Sequence, residues 1–96
     1  MEFVTHPAMK MLADIAKTEV IRYAPNAAFT QAVLHFKDGS ELRFEHSSRE
    51  NRWARASESG TVAEKVCISL HQFRLNSKHL QLFFEDGSDA EFVVGV

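Results

Sequence analysis

One stretch of eleven residues occurs almost twice in this chain, and nothing else constrains its fold as strongly. Leu34-His35-Phe36-Lys37-Asp38-Gly39-Ser40-Glu41-Leu42-Arg43-Phe44 returns 48 residues later as Leu82-Phe83-Phe84-Glu85-Asp86-Gly87-Ser88-Asp89-Ala90-Glu91-Phe92. Each copy sets Asp-Gly between two alternating runs. That is the mark of a β-hairpin, because glycine accepts the positive φ the turn needs. Side-chain parity then selects the loop. A two-residue loop would put Leu34 and Phe36 on the face opposite Leu42 and Phe44. A three-residue loop places all four on one face, with Gly39 and Gly87 in the left-handed position of a bulged turn. Either an ancestral half was duplicated, or two hairpins independently obey the same turn chemistry, since the match fades outside these residues.

The rest of the chain is read around the two hairpins. Residues 5–18 are expected to form a helix. Thr5 caps it, Pro7 lies in its first turn, and Ala8, Leu12, Ile15 and Ala16 form an apolar stripe. Glu19 to Ala24 is a short β-prone run, stopped by Pro25 and Asn26. Ser47 to Gly60 is the most polar stretch and reads as a long loop or a short exposed helix. Thr61 and Glu64 have capping-box spacing. Beyond them the spacing predicts a helix over 62–75, packed through Val66, Leu70 and Phe73 and ended by Asn76. A strand through Val66, Ile68 and Leu70 is the rival reading, but its alternation flips phase beyond His71. The resulting order is α-β-ββ-α-ββ. It describes a single α+β domain spanning 1–96, with one antiparallel sheet of four or five strands built from two Asp-Gly hairpins and both helices on one face.

Composition supports a packed domain. Hydrophobic residues make up 45% and charged residues 25%, the ordinary globular balance. The aromatic set is eight Phe with one Tyr and one Trp, which favours packing over recognition. A net charge of −2 speaks against bulk polyanion binding. Charge is nonetheless uneven: Arg43 to Arg55 holds four Arg against two Glu, whereas Glu85, Asp86, Asp89 and Glu91 make the end acidic. Cys67 is the only cysteine, so a disulfide-stapled scaffold is not expected. No apolar run resembles a signal peptide or a membrane span, and a cytoplasmic location follows by elimination.

No pattern of catalytic chemistry stands out. The five histidines (His6, His35, His46, His71, His79) lack metal-ligand spacing, and neither a nucleophile elbow nor a phosphate-cradling loop occurs. The acidic tip Glu85-Asp86-Gly87-Ser88-Asp89 falls short of a calcium loop's ligand count. The expectation is therefore no enzyme, no cofactor and no metal. Two segments suggest partners. Arg49, Arg52, Trp53 and Arg55 combine residues that anchor protein contacts or hold single-stranded nucleic acid, unless Trp53 turns inward to anchor the loop. Phe83 and Val93 fall on the outer face of the second hairpin and suggest a self-association surface. In the competing arrangement the 47–60 segment covers that face, with Trp53 on Phe83. The leading expectation is a non-catalytic interaction module that forms a homodimer or meets an unidentified protein. A small nucleic-acid-binding protein is the alternative.

Overall fold

In the computed structural model, which describes residues 11–94, two helices alternate with two runs of strands. The order is α1 (Leu12–Glu19), β1 (Val20–Pro25), β2 (Gln31–Phe36), β3 (Glu41–Ser47), β4 (Arg52–Ser59), α2 (Thr61–Ser69), β5 (Leu70–Leu75), β6 (His79–Phe84) and β7 (Asp89–Val93). The class is α+β. The strands do not make one sheet, however: β1-β2-β3-β4 form one antiparallel sheet and β5-β6-β7 a second.

The turns of the β2–β3 and β6–β7 hairpins have the geometry that side-chain parity demands. The Phe36 N–H donates to the Ser40 carbonyl at 3.0 Å and the Gly39 N–H to the Phe36 carbonyl at 3.0 Å. In the second hairpin, the Phe84 N–H donates to Ser88 at 2.9 Å and the Gly87 N–H to Phe84 at 3.0 Å. Both glycines have φ of 88°. Leu34 therefore opposes Leu42 and Leu82 opposes Ala90. Leu34, Phe36, Leu42, Phe44, Leu80, Leu82, Phe84 and Ala90 are all buried, in one core with Tyr23, Ala32 and Leu70 from the strands and Ala13, Ala16, Ala63 and Val66 from the helices. Each large side chain so placed contributes about 1.5–3 kcal/mol. Val94, which continues the alternation of Ala90 and Phe92, is nevertheless 43% exposed.

The repetition extends well beyond the hairpins. α1-β1-β2-β3 and α2-β5-β6-β7 follow the same plan, and their local hydrogen bonds recur. The Asn26 Oδ1 accepts from the Thr30 and Gln31 N–H groups, as Asn76 Oδ1 does from Lys78 and His79. The Lys37 N–H reaches the Glu19 carbonyl, as Glu85 reaches Ser69. Both β1 and β5 slip register one residue after they begin, at Val20/Arg22 and at Leu70/Gln72. Among the described residues β4 has no counterpart. The β1–β2 connection, 26–30, is also longer than its equivalent, 76–78.

The halves interlock through their helices. α1 packs on β6 and β7 of the other half, and α2 on β3 and β4. The α1 N-terminus would leave orphan N–H groups, and the opposite hairpin supplies them with acceptors. The Leu12 N–H donates to Asp86 Oδ2 at 2.7 Å and the Ala13 N–H to Ser88 Oγ at 3.0 Å. The Leu12 N–H first, and then the hydroxyl and N–H of Ser88, which also donate to Asp86, hold its carboxyl below the usual value. Asp38 is likewise lowered, chiefly by Ser40 through its hydroxyl and backbone N–H, with the Val62 N–H of α2 adding to the effect. The hydroxyl of Ser40 nevertheless closes no hydrogen bond of good geometry and is buried against Gly60.

Several sequence expectations need correction. The helix over 62–75 stops at Ser69, and Leu70–Leu75 is strand β5. The register slip at His71 is the physical cause of the phase flip that made a strand look unlikely there. Thr61 is not a cap. Gly60 holds that position with φ of 105°, and no side chain closes a capping bond. Asn76 is not in a left-handed conformation, since Phe29 and Asn51 are the described non-glycine residues with positive φ. The 47–60 stretch is neither loop nor helix over most of its length, because Arg52–Ser59 forms β4. Thr5, Pro7 and Ala8 lie outside the described residues, where α1 begins at Leu12.

Candidate functional site

β4 is the odd element of the fold. It joins the edge of β3 along its whole length, yet seven of its eight residues are exposed and only Trp53 is half-buried. Backbone pairing rather than side-chain burial therefore recruits it. Beyond β4 the first sheet ends, and β5 ends the second. A groove of about 490 Å³ lies between these two ends, lined by Trp53 and Arg55 from β4 and by Leu70, His71, Gln72, Phe73, Arg74 and Leu75 from β5.

Ladder alternation shows which backbone groups face the groove. The Asn76 N–H bonds to the His79 carbonyl across β5–β6. Arg74 and Gln72 then also turn inward to β6, leaving Phe73 and Leu75 to aim their N–H and C=O groups outward. On the other wall the His46 N–H is directed to Thr30, so Glu45 and Ser47 turn towards β4 and pair with Ala54 and Arg52. Trp53 and Arg55 consequently aim their backbone groups into the groove. Two unextended sheet edges thus face one cleft, and its side chains include three cationic or titratable bases (Arg55, His71, Arg74) and no carboxylate.

The floor is aromatic. Trp53 packs against Phe29 at 4.8 Å and His46 at 5.4 Å between ring centroids. Phe73 packs against Phe44 at 4.6 Å. Phe29 sits in the longer 26–30 connection and Trp53 on the added strand, so the two departures from the internal repeat meet here. Arg55 has a structural task as well. Its Nη1 donates to the Cys67 carbonyl at 3.0 Å, placing a cation at the end of a helix whose last turn has no basic residue.

Of the residues singled out from sequence, Trp53 and Arg55 line the groove, on the core side of β4. Arg52 points to the opposite face and pairs with Glu50 at 3.0 Å, and Arg49 is exposed in the preceding turn. Trp53 thus shares no single surface with all three arginines. Phe83 and Val93 are not brought together either. Phe83 opposes Asp89 and Val93 opposes His79, roughly 13 Å apart along the strands. Arg74 lies over the Phe83 ring at 5.7 Å, and Trp53 packs on the first sheet, not on Phe83. Sequence reading missed Phe73 and Arg74 because it placed them on a helix. It also missed a second apolar surface between the helices, a groove of about 310 Å³ that includes Leu12, Ile15, Val66, Ile68 and Phe84. There Ile15 is 42% and Ile68 69% exposed.

No group of three His, Cys, Asp or Glu among the described residues is placed to hold a metal ion, and no described helix is long and apolar enough to cross a membrane. Neither a protein-family model nor a curated protein nor a solved structure matches the chain.

Proposed function

We propose that this domain is a non-catalytic interaction module that takes an extended peptide segment into the cleft between β4 and β5. One observation carries the reading: two strand edges with outward-facing backbone groups border a single groove floored by Trp53 and Phe73. Main-chain bonding to such edges supplies affinity, and alternate side-chain positions supply selectivity. The volume lies within the range of small binding clefts. A pool of blocked random peptides, added to the labelled protein, should shift the backbone amides of Trp53, Arg55, Phe73 and Leu75 and change the emission of Trp53. Peptides with alternate residues N-methylated should lose this effect. Shifts confined to other elements, or none at all, would contradict it.

A second reading concerns self-association: the exposed Ile15 and Ile68 line one groove whereas Phe83 and Val93 stand apart, which favours the helix pair as its site. A second copy docking α1 and α2 would bury these residues across a twofold axis. Light scattering after size exclusion should then show a dimer that Ile68→Glu splits into folded monomers. A monomer at high concentration would remove this reading. The nucleic-acid alternative keeps the cationic character of the groove but loses the single arginine-tryptophan surface on which it was based.

A further inference from the structure

Side chains of a strand added between β4 and β5 would alternate between the core side and the outer side of the sheets. On the core side they would meet Trp53, Phe73 and Leu75, which share that face with Phe44, Leu82 and Leu80 through cross-strand pairing or ring contact. On the outer side they would meet Gln72 and Arg74 of β5, and Ala54 with Arg52 of β4. The groove itself carries Arg55, His71 and Arg74 and no acidic residue.

We infer that the natural occupant is an extended segment in which acidic side chains alternate with apolar ones, the acids facing Arg74 and Arg52 and the apolar side chains entering the Trp53–Phe73 floor. This inference rests on the strand-addition reading above and adds to it the chemistry of the partner. Charge complementarity at the rim of an interface acts mainly on selectivity and association rate. The expected discrimination is accordingly a preference among peptides that all pair through the backbone. Arg74 carries most of it. Arg55 is already held by the Cys67 carbonyl, and Arg52 is shared with Glu50.

The test uses the full chain and three probes: a short blocked peptide of alternating Glu and Val, its Lys-Val counterpart, and a mixed-sequence DNA oligonucleotide. Trp53 emission reports affinity and the Phe73 and Leu75 amides report the site. The Glu-Val peptide should bind at least about tenfold more tightly than the Lys-Val peptide. Arg74→Glu should reverse that order while leaving the fold intact by backbone shifts. Equal binding of both peptides, with the Phe73 and Leu75 amides moved, would overturn the acidic assignment and leave strand addition standing. Failure of both peptides to move those amides would overturn both. Tighter binding of the oligonucleotide than of the Glu-Val peptide would show that the bases of the groove serve phosphates instead.

Discussion

Tyr23 and Phe73 occupy equivalent positions in the two halves, and their surroundings differ. Tyr23 opposes Leu34 and Phe73 opposes Leu82, so each is the inward residue of the first strand in its half. Tyr23 is only 2% exposed, and its hydroxyl donates to the Asn76 carbonyl of the other half at 3.0 Å. Phe73 is half-buried in the wall of a groove. Beside Tyr23, β1 lies directly against β7. At the corresponding corner β4 has joined the edge of β3, and β5 faces it across the cleft. The same half-domain thus makes a narrow corner once, with a groove of about 230 Å³ between β1 and β7, and a wider one once, of about 490 Å³ between β4 and β5. What widens it is a strand with no counterpart among the described residues. The candidate site therefore lies where the molecule breaks its own pattern.

The largest expected effect that bears on this comparison is at the entry to the helices. α1 is entered through Met11, with an ordinary extended backbone, whereas α2 is entered through Gly60 directly after β4, with φ of 105°. A Cβ on Gly60 would come within 2.9 Å of the Ser40 backbone, and the conformation itself strains any other residue. Gly60→Ala should cost about 3 kcal/mol in denaturant melts, strain and overpacking together. Met11→Ala should change stability by less than about 0.5 kcal/mol. Comparable costs would mean that the two helices are entered alike after all.

Next come the two hairpin glycines, where the halves agree. Both have φ of 88°, and a Cβ on either would meet nothing within 4 Å. Gly39→Ala and Gly87→Ala should therefore each cost about 1 kcal/mol through backbone strain alone. Clearly unequal costs would break the equivalence of the turns.

An effect in stability no larger than these separates the two corners by their polar groups. Tyr23→Phe should cost about 1 kcal/mol by removing the bond to Asn76, while Phe73→Tyr should be nearly neutral beside its open groove. Burial pushes the Tyr23 hydroxyl from 10.0 up to about 12. A raised folded value means the folded state holds the proton longer. This contribution is thus complete below pH 10 and is lost as pH rises towards about 12. Because Tyr23 is the sole tyrosine, tyrosinate absorbance reads it directly. Ionisation near the ordinary value would show that the Tyr23 hydroxyl is not buried.

How much of this was legible in the sequence depends on what holds each element. The hairpins were readable because glycine chemistry and side-chain parity are local, and both act within the repeated eleven residues. β4 was not readable, because its exposed side chains have no burial alternation and only the edge of β3 defines it. β5 was hidden by the slip at His71, which disrupts alternation as a helix would. The capping of α1 by Asp86 and Ser88 spans more than seventy residues and leaves no local trace. Trp53 and Arg55 were singled out by residue type, and both line the groove. Their partners across the groove, Phe73 and Arg74, depended on the missed strand.

Backbone amide hydrogen exchange of the free chain, followed residue by residue at low concentration, tests the open cleft most directly. Gln72, Arg74 and Ala54, which turn towards β6 or β3, should be protected. Trp53, Arg55, Phe73 and Leu75 should exchange orders of magnitude faster. Protection of these four in a monomer would show that β4 and β5 are already paired with something, and that no cleft awaits a partner.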